Sequence, residues 1–233
     1  MSTFKHAFRR VALLALAVSI LLPVHAEAAT WQDYVRSYSR NRSDESTEVR
    51  QTSSRERYSS SIQRAVNKLD DDKVEDLPIP VMLGVSVPQL SKNFGDPRDG
   101  GARTHEGLDI LAPRGAFVAS PTEAVVVKVG TGSSAGKYVT TANPGKETFT
   151  YMHLDDFADG IKAGVKLAPG DLIGYVGDTG NAKGGVTHLH FEIRKNRKAM
   201  DPYPRLTREF TTQQRIDLLT EVLKDLQAEL KRK

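Results

Sequence analysis

The alternation of apolar and polar positions divides the chain into four stretches of different texture. Residues 11–22 form an apolar run broken only by Ser19, and Pro23 ends it. From about residue 30 to 76 the sequence is crowded with Ser, Arg, Asp and Glu of mixed sign. Large apolar residues are too few there for an independent core. Ile62, Val66 and Leu69 nevertheless recur at i, i+4 and i+7, which predicts one helical face that docks on the main domain or on a C-terminal helix. Pro78 and Pro80 disfavour helix, and from Val81 onward short β-rich runs alternate with Gly and Pro turns. Strands are predicted near 117–120, 123–129, 138–142, 148–153, 172–176 and 187–194, a spacing that favours an antiparallel, curled sheet. Beyond Pro204 the pattern turns helical. Thr211 and Gln214 fit a capping box, and Ile216, Leu219, Leu223, Leu226 and Leu230 alternate by three and four, giving an amphipathic helix of about four turns. Packing against the chain's own core is its plain reading; a short coiled-coil contact or self-association is the sharper one.

Composition changes this picture at the N-terminus first. Lys5, Arg9 and Arg10 precede the apolar run and Ala26-Glu27-Ala28 follows it, as in a secretory signal cleaved after Ala28. A membrane anchor is the competing reading, but the run falls short of the roughly 20 residues that cross a bilayer. With no second apolar span, the mature protein is expected to be exported, periplasmic or secreted, and not membrane-spanning. Losing the signal removes a net +2 from the formal charge of +4, leaving about +2, so charge gives no reason to expect a nucleic-acid partner. The chain has no cysteine, which excludes thiol catalysis, thiolate metal sites and lipidation of a terminal cysteine. With 233 residues there is room for one sizeable domain with extensions. The expected division is a signal peptide at 1–28, a polar helical or partly disordered lead-in at 29–78, a main domain at 79–206 and the amphipathic helix at 207–233.

Histidine carries the chemistry. Two of the six, His6 and His25, fall in the expected signal. The other four lie in short motifs: His105 in H-E-G-L-D, His153 in Y-M-H-L, and His188 and His190 in H-L-H. On an extended strand His188 and His190 point the same way, with Leu189 and Phe191 toward the core. His105 and Asp109 are also evenly spaced, and Gly107 lets the backbone bend into the run 108–111. Two imidazoles and one carboxylate suit a catalytic zinc, which commonly takes three nitrogen or oxygen ligands and keeps a fourth position for water. Two further histidines remain for proton handling. Any one of these motifs alone is more often a pair of surface side chains; their joint occurrence is the signal.

H-E-G-L-D-I-L-A-P-R-G at 105–115, Y-M-H-L at 151–154, I-G-Y-V-G-D-T-G at 173–180 and H-L-H-F-E-I at 188–193 resemble, in order and spacing, the signature blocks of the lysostaphin/LytM-type peptidoglycan metallo-endopeptidases. The resemblance covers roughly residues 81–204. It implies a mainly β fold with an antiparallel β-sheet groove, zinc held by His105, Asp109 and His190, and water activation and transition-state stabilisation by His153 and His188. It implies as substrate the peptide cross-links of bacterial peptidoglycan. Two departures stand out. Residues 183–187 read K-G-G-V-T where relatives often have a small-residue turn, and no tyrosine occurs between Ser91 and Thr104, which favours a D-alanyl cross-link over a glycine bridge. Other readings are a non-catalytic module that activates another wall hydrolase, and a structural protein that keeps zinc for stability. Glu192 shares the parity of the two histidines and reads either as a support for a ligand or, more plainly, as a solvated strand-end glutamate. Arg103 reads either as an anchor for an anionic substrate group or as a surface arginine. Extensions on both sides of the domain also suggest a cover over the groove.

Overall fold

The computed structural model describes residues 59–231, so the expected signal and the lead-in up to residue 58 lie outside the described residues. A short helix α1 (Ser60–Val66) comes first. Thirteen strands follow: β1 (Leu77–Pro78), β2 (Pro97–Arg98), β3 (Arg103–Thr104), β4 (Leu108–Leu111), β5 (Phe117–Ala119), β6 (Ala124–Gly132), β7 (Gly136–Asn143), β8 (Glu147–Phe157), β9 (Lys166–Leu167), β10 (Leu172–Val176), β11 (His188–Lys195), β12 (Lys198–Met200) and β13 (Leu206–Arg208). The chain closes with α2 (Thr212–Lys231).

Nine of these strands form one antiparallel sheet with the path β12-β11-β8-β7-β6-β9, to which β4 adds along β11, and β10 along β8 and β5. The fold is mainly β, as the strand spacing indicates. All six predicted strands are present, while the two-residue strands were too short to give a periodic signal. Alternation explains the core. Leu189, Phe191 and Ile193 of β11 are fully buried, as are Phe149 and Tyr151 of β8 and Leu108 of β4. Phe191 meets Phe149 edge-on at 5.4 Å and Tyr151 at 5.3 Å between ring centroids. Each such side chain contributes about 1.5–3 kcal/mol by leaving water.

β5 and β10 are buried on both faces, which is why they read as continuous apolar runs. Val118 and Ile173 enter the main core, while Phe117, Ala119 and Tyr175 form a second cluster with Met82, Phe210, Leu218 and Val222. α2 therefore packs on its own chain, entered through the expected cap: Thr211 N donates to Gln214 Oε1, and Gln214 N to Thr211 Oγ1. The helix is longer than expected, 20 residues, and docks through a different face. Leu218 and Val222 are buried and Leu219 half-buried, whereas Ile216, Leu223 and Leu230 are 46%, 40% and 70% exposed. Helix period alone does not tell which of two apolar faces fits the neighbouring surface; the cluster of Phe117 and Tyr175 decides it.

Ile62, Val66 and Leu69 are half-buried while most of their neighbours are exposed, and a side chain on Gly164 would touch Ile62, so α1 lies on the main domain. Packing continues across residue 78. Leu77 and Ile79 are fully buried, β1 pairs in parallel with β13, and Arg205 donates to Val74 O and forms an ion pair with Glu147. No described helix is long and apolar enough to cross a membrane.

Candidate metal centre and its groove

β4 and β11 run antiparallel with Asp109 directly opposite His190. Opposite residues on one sheet face have Cβ atoms about 4.5–5.5 Å apart, so pairing alone brings these two side chains together. His105 reaches them from the loop before β4. Its backbone is fixed by Gly95 N donating to His105 O and His105 N donating to Asp96 O, both at 2.8 Å. Gly107 serves this approach in a way different from the expected bend. Its φ is not positive, but a Cβ there would lie 2.6 Å from His190 Nε2 and 2.7 Å from Phe191 O.

His105 Nε2, Asp109 Oδ1 and His190 Nδ1 converge. His105 Nε2 lies 2.9 Å from Asp109 Oδ1 and 2.9 Å from His190 Nδ1, and His190 Nδ1 lies 2.8 Å from Asp109 Oδ1. The partners of the outer nitrogens fix which nitrogens face the centre of this triangle. His105 Nδ1 is 2.6 Å from the carbonyl of Asn93, which only accepts, so Nδ1 carries the hydrogen and a neutral ring leaves Nε2 bare. His190 Nε2 faces Glu192 Oε1 at 3.2 Å, so its hydrogen belongs there and Nδ1 is bare. Two imidazole lone pairs and a carboxylate oxygen then meet with no hydrogen between them, an arrangement that requires a positive charge at the centre. A divalent cation bound there would meet that requirement.

Electrostatics agree. Burial acts to raise the Asp109 carboxyl, but the hydrogen bonds of His105 and His190 prevail and hold it far below the carboxylate range. Burial likewise acts to lower His190, and its contacts with Asp109 and Glu192 prevail and raise it. Both shifts describe a pocket that favours a cation. The second oxygen of Asp109 accepts from Arg98 at 2.8 Å, and the Asn93 side chain accepts from the Asp109 N–H at 3.1 Å.

His188 and His153 stand beside the triangle, with ring centroids 4.9 Å apart. His188 Nδ1 lies 2.8 Å from Val186 O, and His153 Nδ1 lies 2.8 Å from Thr179 O. Both rings therefore present a bare Nε2. His188 Nε2 is 3.7 Å from Asp109 Oδ1. Burial, and then repulsion between its protonated form and the neighbouring His188 ring, push His153 down to about 4, so it is neutral near pH 7.

His153 is placed unlike the others. Its φ is +61°, a left-handed conformation uncommon for a residue with a side chain. It sits where β8 changes partner, from β11 up to Met152 to β10 from Leu154. Arg114 brackets this switch, reaching Asp155 at 2.6 Å and Asp178 at 2.5 Å, and so joins the strand beyond His153 to the loop that carries Thr179.

All five expected site residues thus border one groove, together with Arg98, Arg103, Ser134, Asn181 and Glu192. Neither α1 nor α2 contributes to its lining; of the lead-in expected as a cover, residues 30–58 lie outside the described residues. Glu192 corrects the plainer expectation. It is 7% exposed and bonded to His190, because the sheet continues past it and Arg194 compensates its charge. Sequence reasoning missed Asn93, Arg98 and Thr179; only the quoted block at 173–180 pointed to the last.

Residues 103–202 match the model of peptidase family M23. The L-Ala–D-Glu endopeptidase of Bacillus subtilis (strain 168) is 34% identical over 139 residues, which cover 55% of this chain and 42% of that protein. The peptidoglycan DD-endopeptidase ShyA of Vibrio cholerae is 34% identical over 110 residues, 45% of this chain and 24% of its own. Among solved structures, Helicobacter pylori Csd3 aligns with 68% of this chain and 42% of its own at 27% identity, with a TM-score of 0.46. The aligned parts span less than half of each relative's length.

Proposed function

We propose that the chain, whose residues 103–202 match the model of peptidase family M23, is a zinc-dependent endopeptidase that hydrolyses peptide cross-links of bacterial peptidoglycan outside the cytoplasm. The observation that carries this reading is the triangle of His105 Nε2, Asp109 Oδ1 and His190 Nδ1, each atom within 2.9 Å of the others. Three donors of this type leave a fourth position open, as catalytic rather than structural zinc sites do. When bound, zinc supplies a Lewis acid that lowers the pKa of water to about 7 and polarises a carbonyl.

The remaining chemistry falls to the chain. A bare Nε2 accepts a proton, and both His153 and His188 turn their Nε2 to the groove, with Nδ1 held by a carbonyl. One takes the proton from the attacking water and passes it to the departing amine nitrogen as the C–N bond breaks, and the other, in its protonated form, donates to the oxyanion of the tetrahedral transition state. The carbonyls of Thr179 and Val186 hold the two rings in that tautomer through the proton transfer. Arg98, bound to the far oxygen of Asp109, holds that carboxylate turned so that its other oxygen faces the centre.

The two curated relatives are named for different bonds, L-Ala–D-Glu and a DD linkage. For this chain we favour a D-alanyl cross-link, on the absence of tyrosine between Ser91 and Thr104. The division into an export signal at 1–28, a lead-in at 29–78, a catalytic domain at 79–206 and a helix at 207–233 belongs to the same proposal.

Digestion of defined cross-linked muropeptides, followed by mass spectrometry, tests the reading. Cleavage of the cross-link is expected, lost with a chelator and restored by one equivalent of zinc. Zinc-loaded protein that leaves every cross-link intact, also after removal of residues 29–58, overturns it.

A further inference from the structure

Glu192 lies two residues beyond His190 on the same face of β11, yet it is buried, and a buried carboxylate is costly unless paired. Its two oxygens are used separately. Oε1 faces His190 Nε2 at 3.2 Å, and Oε2 accepts from Arg194 Nε at 2.7 Å. The guanidinium of Arg194 then bonds through Nη2 to Glu106. Glu106 is covalently next to His105, so the run His190–Glu192–Arg194–Glu106–His105 leads from one expected ligand to another by a route that avoids the metal position. Arg194 also donates to Arg197 O, which anchors the run at the turn between β11 and β12.

We infer that Glu192 is a positioning residue for metal binding: it fixes the tautomer and orientation of His190 so that Nδ1 stays bare and aimed at the ion, and Arg194 with Glu106 holds Glu192 in place. The inference rests on the functional reading above, that an ion is bound there. An imidazole has two nitrogens, and the partner of the outer one decides which is free to ligate. A carboxylate only accepts, so it selects the N–H at Nε2 more firmly than a neutral amide oxygen does. Without Glu192, the His190 ring loses the partner that makes Nδ1 the ligating atom, and Arg194 is left without its buried counter-charge.

Zinc affinity measured by competition with a chromogenic chelator, on the chain from residue 29 onward, tests this without relying on activity. Glu192→Ala is expected to bind zinc 10–100-fold more weakly than the parent, the usual cost of losing such a partner. Glu192→Gln, which keeps the shape and one acceptor oxygen, is expected to lose less. Arg194→Met is expected to fall between the two. The ion-free Glu192→Gln protein is expected to melt within a few degrees of the ion-free parent, which a purely structural role for Glu192 would not allow together with weakened zinc binding. If Glu192→Ala does not fold, Glu192→Gln alone decides. A parent that binds zinc, beside a folded Glu192→Ala or, failing that, a Glu192→Gln of equal affinity, overturns the inference and spares the functional reading. A parent that takes up no zinc overturns both.

Discussion

His190 and His153 have ring centroids 5.8 Å apart, yet the chain places them by opposite means. His190 arrives by strand alternation: its neighbours Leu189 and Phe191 are fully buried, so it must face the groove, and antiparallel pairing sets Asp109 across from it. His153 arrives by an exception to strand geometry. Its backbone is left-handed, its strand changes partner at that residue, and its ring is held by the carbonyl of a loop 26 residues away. Two of the three proposed metal ligands, Asp109 and His190, thus rest on regular sheet, which is rigid and repeats a local rule, while His105 joins them from the loop before β4. Part of the proposed proton handling rests on a strained point that surrounding contacts over-determine, and such strain clusters at functional sites.

This contrast breaks most sharply at the ligands. Asp109→Ala and His190→Ala are each expected to lose zinc and drop muropeptide cleavage to background, as metal analysis beside the digest would show. Next in size, His188→Ala and His153→Ala are each expected to lower kcat by about 10²–10⁴ while keeping one zinc per chain, because they remove a proton carrier and leave the triangle intact. Loss of zinc from either variant would erase the distinction between the two regions.

Gly180→Ala sharpens the comparison without touching a histidine. Gly180 has φ +72° and a Cβ there would lie 2.2 Å from Gly136 N, so the loop carrying Thr179 must shift. Misplacing His153 by about 1 Å is expected to cost up to about 10²-fold in kcat, with zinc affinity unchanged. The smallest effects fall on stability and are read by denaturant unfolding. Leu189→Ala, on the buried face of β11, is expected to cost about 2–5 kcal/mol, whereas Ile216→Lys on the outer face of α2 is expected to stay within about 0.5 kcal/mol.

The same contrast explains what was legible in the sequence. The face shared by His188 and His190, the burial of Leu189 and Phe191, and the cap at Thr211 follow from period-two and helix-cap rules that act between near neighbours, and all three are present. The docking face of α2 was not legible, because Leu218 and Val222 win over Ile216 and Leu223 only through the shape of a surface built by β5 and β10. The burial of Glu192 was hidden for a similar reason: it depends on Arg194 and on Glu106, 86 positions earlier. Asn93 left no signal at all, since its backbone carbonyl does part of the work, and any residue has one.

The most direct measurement is an anomalous-difference map, collected at the zinc absorption edge, from crystals of the zinc-loaded protein. A single strong peak in bonding contact with His105 Nε2, Asp109 Oδ1 and His190 Nδ1, with no protein atom in the fourth position, is the predicted result. A peak elsewhere, or a fourth protein ligand closing the site, would contradict the account.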